Sequence, residues 1–164
     1  VWFMANAASP LERQLYVTSF RKREAPRRIS RETGWHTVRM SPDARYYLDT
    51  FSDSEHPPSV KLHNADGSTR ATLVANTLHA SHPYAPYLAS QQRSEFGTLR
   101  GGDGQTLYSQ LTPAKDRPPG RPYPVIGDVY GGPGVLGRVR NAWGNLFRQF
   151  KSGFPLCFGG FNGL

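Results

Sequence analysis

The chain has 164 residues, enough for one ordinary domain or two small ones, and its hydrophobic share of 37% lies below the usual globular value. Gly 17 and Pro 14 predict many turns and few long helices, while eight Tyr, nine Phe and three Trp favour strands. The single cysteine, Cys157, excludes an internal disulfide and a cysteine-rich zinc site, no apolar run is long enough to span a bilayer, and the net charge of +8 points to anionic surroundings if to any.

The first residues are an apolar, strand-like run without an initiator Met, a basic leader or an apolar signal core. A chain that opens in this way is expected to be a segment of a longer protein. The first strand is expected over 1–6 and the second over 13–20, separated by the turn cluster Asn6-Ala-Ala-Ser-Pro10. Arg21, Lys22, Arg23, Arg27, Arg28 and Arg31 then stand against Glu24 alone within residues 21–31. This stretch can attract phosphate, or it can be solvated charge in a Pro-containing turn; no nucleic-acid reader motif accompanies it. Strands over 35–40 and 45–51 flank Ser41-Pro-Asp-Ala44, where Pro42 suits the second turn position and Asp43 can bond its own backbone. A further hairpin, 59–63 with 69–73, surrounds Asn64-Ala-Asp-Gly67. Four short strands in about 40 residues have the size of one β-propeller blade. The earlier strand pair then belongs to the preceding blade, and Trp35 reads as a core aromatic between the two. Two such segments cannot close a propeller, so their faces need neighbours.

Residues 76–94 change character, with prolines and mixed polarity that suit a connector. Strands over 95–100 and 105–111 follow, flanking Gly101-Gly-Asp-Gly104. After a loop over 112–121, residues 122–130 read as a nearly continuous apolar strand running into Tyr130 and Gly131-Gly-Pro-Gly134. Glycine at such a turn lets backbone approach a ligand closely, and the carboxyl end of a strand is where open α/β sheets place their sites. Residues 138–151 fit a basic amphipathic helix, with Val139, Trp143, Leu146, Phe147 and Phe150 at helical spacing and Gly153 to stop it. It can pack beneath a sheet or lie on an anionic membrane. A last strand over 154–158 is interrupted by Pro155. Strands alone, then hairpin, strand and helix, suggest two domains meeting near 76–94.

With these elements in place, the chain resembles the dipeptidyl peptidase IV branch of the prolyl oligopeptidase family, its bacterial members above all. The resemblance rests on Ser9-Pro-Leu-Glu-Arg-Gln-Leu-Tyr16, Gly34-Trp-His-Thr-Val-Arg-Met-Ser-Pro-Asp43, Tyr46-Tyr-Leu-Asp-Thr-Phe-Ser-Asp53, Pro57-Pro-Ser-Val60, Glu95-Phe-Gly-Thr-Leu99 and the stretch from Tyr123 to Pro133. These stand in the family's order over residues 1–150. The resemblance implies a fold that is mostly β and then α/β: the last blades of a β-propeller over 1–78, a connector over 79–94, and the first strands and a helix of an α/β-hydrolase domain over 95–164, both domains incomplete. It implies a serine exopeptidase that releases N-terminal dipeptides with proline or alanine second. One site residue carries over: Tyr130 matches the tyrosine of Asp128-Val-Tyr-Gly-Gly-Pro133, whose hydroxyl helps hold the oxyanion of the tetrahedral intermediate. On residue type alone Tyr130 reads first as a packed strand-end ring with a wetted hydroxyl, and it is the surrounding motif that points to the oxyanion role. The nucleophile elbow Gly-x-Ser-x-Gly is absent from these residues and is expected about 70–80 residues further on. The triad Asp and His are expected beyond it, the acidic amine-binding motif before Val1, and this chain alone is expected to be inactive. Cys157-Phe-Gly-Gly-Phe-Asn-Gly-Leu164 replaces the family's Asp-Asn-Arg-Gly-like turn, which makes 151–164 atypical. Ala44 stands where the family's Ser-Pro-Asp-Gly turn has glycine. The partner implied is a peptide substrate in the intact enzyme, with no cofactor, no metal, no nucleic acid and no membrane span. Intact members are often dimeric, and the address is periplasmic or cytoplasmic.

Other constellations are weaker. His36, His56, His63, His79 and His82 invite a metal reading, but no acidic ligand cluster accompanies them. Ser52, Asp53 and His56 are close in sequence without an elbow to present a serine. Gly101-Gly-Asp-Gly104 and Gly131-Gly-Pro-Gly134 lack phosphate-loop spacing and read as turns. Two alternatives to the peptidase reading remain: a non-catalytic basic module for nucleic acid or an acidic surface, and a non-functional truncated product.

Overall fold

The computed structural model describes residues 1–113, Gly120 and the backbone of the strands at 126–129 and 156–160. These residues fall into two compact units with the break between His82 and Pro83. Among them helix is confined to one short 3-10 segment, Ala85–Ser90, and the rest of the regular structure is strand.

The first unit holds two antiparallel sheets. In one, β1 (Trp2–Ala5), β2 (Gln14–Val17) and β3 (Arg27–Arg28) lie in the order β1-β2-β3. Phe3 sits opposite Tyr16, and their rings stack at 5.8 Å. The two-residue β3 was not expected, because two arginines carry no strand pattern. It forms because it can pair with Tyr16 and Val17 of β2. The other sheet is a meander of β4 (Trp35–Met40), β5 (Tyr46–Ser52), β6 (Ser59–Asn64) and β7 (Thr69–Val74), neighbours in chain order and all antiparallel. This is the four-stranded blade expected from the turn spacing.

Strand alternation decides what the blade buries. Tyr47, Asp49 and Phe51 of β5 point inward and are buried, whereas Leu48 and Thr50 between them are exposed. Tyr47 meets Leu15 of β2 and Ile29, which follows β3, in a core between the two sheets, flanked by Trp2, Met4, Val17, Val38 and Met40. Burying an aliphatic side chain of this size contributes about 1.5–3 kcal/mol, so this seam is the main apolar attachment of one sheet to the other. The β6–β7 turn closes on it as well. Gly67 has φ +92°, and a Cβ there would stand 2.7 Å from the Ile29 carbonyl oxygen. Glycine is therefore required twice over, by conformation and by contact.

In the second unit, β8 (Glu95–Arg100) and β9 (Thr106–Thr112) form the expected hairpin around Gly101-Gly-Asp-Gly104. Gly101 N–H donates to the Gln105 carbonyl at 2.8 Å, and Gly104 N–H to the Gly101 carbonyl at 2.9 Å. β10 (Ile126–Val129) and β11 (Leu156–Gly160) complete a sheet in the order β10-β11-β9-β8. β11 runs parallel to β10 and antiparallel to β9. A parallel pair needs a crossover connection, which a hairpin cannot supply. Of the strand expected over 154–158, the described residues form Leu156–Gly160, so it continues through Gly159 and Gly160, and residues 154 and 155 lie outside the described residues. The helix expected over 138–151 and the apolar residues 122–125 lie outside the described residues.

Candidate functional site

Tyr130 directly follows β10 in the sequence and itself lies outside the described residues, as does Gly131-Gly-Pro-Gly134. The described chemistry is concentrated instead in the first unit, where buried polar side chains join the two sheets.

The centre of that network is the backbone carbonyl of Glu32, on the link between β3 and β4. It accepts from Gln14 Nε2 at 3.1 Å and from an Arg28 guanidinium N–H at 3.1 Å, and it lies 2.9 Å from His36 Nε2. Gln14 and His36 are fully buried. The Gln14 amide also donates to Glu12 Oε2 at 2.7 Å and accepts from Ser30 Oγ, which in turn accepts from Leu15 N–H at 2.9 Å. On its other side, His36 Nδ1 lies 2.7 Å from Asp49 Oδ2, and both side chains are almost wholly buried. A carbonyl oxygen can only accept, so Nε2 carries a proton. Nδ1 faces the Asp49 carboxyl, so the ring is held from both sides. The other Asp49 oxygen, Oδ1, is buried with no hydrogen-bond partner among the described residues. Phe51 packs its ring against His36 at 4.9 Å.

This arrangement is a lock between sheets. Its Gln14, His36 and Asp49 side chains are almost wholly buried. The metal and triad readings of the histidines come apart in the same way. His63 stacks on Tyr47 at 4.9 Å, with Nδ1 3.3 Å from the Gly67 carbonyl. His56 is exposed, with Nδ1 2.9 Å from the Asp53 carboxylate. That carboxylate also accepts the backbone N–H groups of Glu55 and His56 at 2.7 Å each, so it caps its own turn. Ser52 is buried on β5. His79 and His82 meet edge to face at 6.3 Å, His79 next to Ser81 Oγ and His82 next to Asn76 Oδ1. Among the described residues no three His, Cys, Asp or Glu side chains gather as a metal site. Trp35 is half-buried at the join of the two sheets, bridged to Arg13, whose guanidinium lies 5.8 Å from the indole centre.

A cleft of about 800 Å³ opens at one end of the blade, lined by Thr33, Phe51, Asp53, Lys61, Asn76 and Leu78 among others. Its charges are already matched: Lys61 Nζ lies 2.7 Å from Glu32 Oε1, and Asp53 holds His56. Asp53 and His56, the one carboxylate–imidazole pair described in its lining, also close their own turn.

Residues 1–58 match the family model described as the dipeptidyl peptidase IV N-terminal region. The chain is 28% identical over 141 residues to dipeptidyl peptidase 8 of Mus musculus, and equally to that of Homo sapiens, matching over 82% of this chain and 15% of each relative. A solved structure of Porphyromonas gingivalis dipeptidyl peptidase 4 shares its fold with a TM-score of 0.76 at 22% identity, over 99% of this chain and 22% of that one. The chain thus spans about 15% of the length of the curated relatives it matches.

Proposed function

We propose that this chain, whose residues 1–58 match the dipeptidyl peptidase IV N-terminal region, is part of a serine exopeptidase releasing N-terminal dipeptides with proline or alanine second. In this reading residues 1–78 are the end of the propeller, 79–94 the connector and 95–164 the start of an α/β-hydrolase domain. The break at His82 and the change from antiparallel meander to a sheet with a parallel pair support that division. The observation that carries the function is the ordered run from the blade to Asp128-Val-Tyr-Gly-Gly-Pro133, with β10 immediately ahead of Tyr130.

Tyr130 is the oxyanion donor in this proposal. Attack by serine on the scissile carbonyl places negative charge on its oxygen. A phenolic O–H fixed in advance stabilises charge that exists only in the transition state, so it raises kcat rather than tightening substrate binding. The nucleophile and its base belong to residues beyond this chain, since no Gly-x-Ser-x-Gly elbow occurs within it. Residues 1–164 by themselves then neither turn over an alanyl- or glycyl-prolyl chromogenic substrate nor react with a fluorophosphonate. Intact mass after incubation with the probe tests this: an unshifted mass is expected, and one stoichiometric serine adduct would overturn the proposal.

A further inference from the structure

The loop between β2 and β3 is built in a way that neither the sheet seam nor the peptidase reading uses. Its neck is fixed: Thr18 Oγ1 donates to the Glu24 carbonyl at 2.7 Å, Thr18 N–H donates to the Val1 carbonyl at 3.0 Å, and Lys22 N–H donates to Ser19 Oγ at 3.4 Å. Beyond the neck, the turn presents Phe20, Arg21, Lys22 and Arg23, all exposed. Phe20 is 76% exposed, the highest value among the large apolar side chains described. Arg23 holds φ 49°, a conformation that L residues rarely adopt. Lys22 has only a loose contact with Glu24, at 3.8 Å between two exposed side chains. Arg28, in contrast, turns inward onto the carbonyls of Ser30, Arg31 and Glu32, so the basic stretch is divided between structure and display.

We propose that this tip docks on an anionic membrane surface, with Phe20 entering the headgroup layer and Arg21, Lys22 and Arg23 pairing with lipid phosphates. A single protruding ring bordered by consecutive cations matches the interface, where an apolar edge meets mobile negative charge that imposes no fixed geometry. A specific protein partner needs roughly 800 Å² per side, which a turn of this size does not offer. Single-stranded nucleic acid needs a groove with successive aromatic platforms, and Phe20 is the loop's sole aromatic. Docking here is peripheral and involves no membrane-spanning helix; none among the described residues is long and apolar enough to be one.

The test is co-sedimentation of the 164-residue chain with phosphatidylcholine vesicles, with or without about one-third phosphatidylserine, a surface charge that attracts polybasic segments. Binding to the anionic vesicles alone, weakening with salt, is expected. The variant combining Arg21→Gln, Lys22→Gln and Arg23→Gln should lose roughly a hundredfold in partitioning, about fivefold per charge. Phe20→Ala should lose about tenfold, and Phe20→Trp should restore binding, since Trp favours the interface. Because all four residues lie on an exposed tip, unchanged circular dichroism should accompany each loss. No binding to anionic vesicles at low salt would overturn the proposal. So would binding that survives the triple variant, which would place the contact elsewhere, or tighter binding to a single-stranded oligonucleotide with Phe20 replaced at no cost.

Discussion

Ala44 shows how one residue carries both a legible rule and an avoidable cost. It holds φ 54°, with its N–H donating to the Ser41 carbonyl at 2.9 Å, so the turn demands the conformation that glycine adopts freely. The turn survives because Asp43 braces it. The Ser41 hydroxyl, then the Arg45 guanidinium and N–H, hold the Asp43 carboxyl down at about 2. Ala44→Gly should therefore raise the unfolding free energy by about 1 kcal/mol, read as a higher urea midpoint at unchanged slope. The buried lock behaves oppositely. Asp49→Asn removes one partner of a buried pair and should cost roughly 3–5 kcal/mol, enough to unfold a marginal unit. Beside it, burial and then the Asp49 charge push the Tyr47 phenol from 10.0 up to about 12. Folding favours its neutral form, so that stabilisation is complete below pH 10 and is lost as pH rises through about 12. Denaturation midpoints should fall across that window, and Tyr47→Phe should flatten the fall. The positive φ at Ala44 was hinted at only by the resemblance, whose turn carries glycine at that position. The His36–Asp49 pair was not, although a signal existed: Asp49 alternates in step with Tyr47 and Phe51, which marks it as inward-facing. Alternation identifies an inward carboxyl but not its partner on another strand.

At the scale of elements, turn chemistry made the sequence readable. Ser-Pro-Asp-Ala, Asn-Ala-Asp-Gly and Gly-Gly-Asp-Gly each fixed a hairpin, and the paired strands β4–β5, β6–β7 and β8–β9 formed around them. What could not be read was structure imposed by a neighbour. β3 exists because β2 offers it a ladder, and the 3-10 segment Ala85–Ser90 interrupts what Pro83 and Pro86 marked as a plain connector. Gly67 ties local to distant structure, since its turn closes against Ile29 of the other sheet. Gly67→Ala should lower stability by at least about 2 kcal/mol, combining left-handed backbone strain with overpacking against a carbonyl that cannot withdraw. Chemical denaturation would show it, and a variant as stable as the parent would mean that the inter-sheet contact yields freely.

At the scale of the whole molecule, the chain is built of sheets, and those within residues 1–82 hold each other through an apolar seam and a polar lock, in a stretch whose first 58 residues match the dipeptidyl peptidase IV N-terminal region. That much could be anticipated from ordered short motifs, each weak alone, because blade spacing and turn residues constrain the same strands. The site could be anticipated only as chemistry. Tyr130 was marked by the residues around it, and its proposed reaction needs a serine that these residues do not place in an elbow. The decisive measurement uses a protein that carries these residues together with that elbow. There, Tyr130→Phe should lower kcat on a glycyl-prolyl substrate by about 10²–10³ while leaving KM nearly unchanged, the signature of a contact made only in the transition state. An unchanged kcat, or a loss confined to KM, would contradict it.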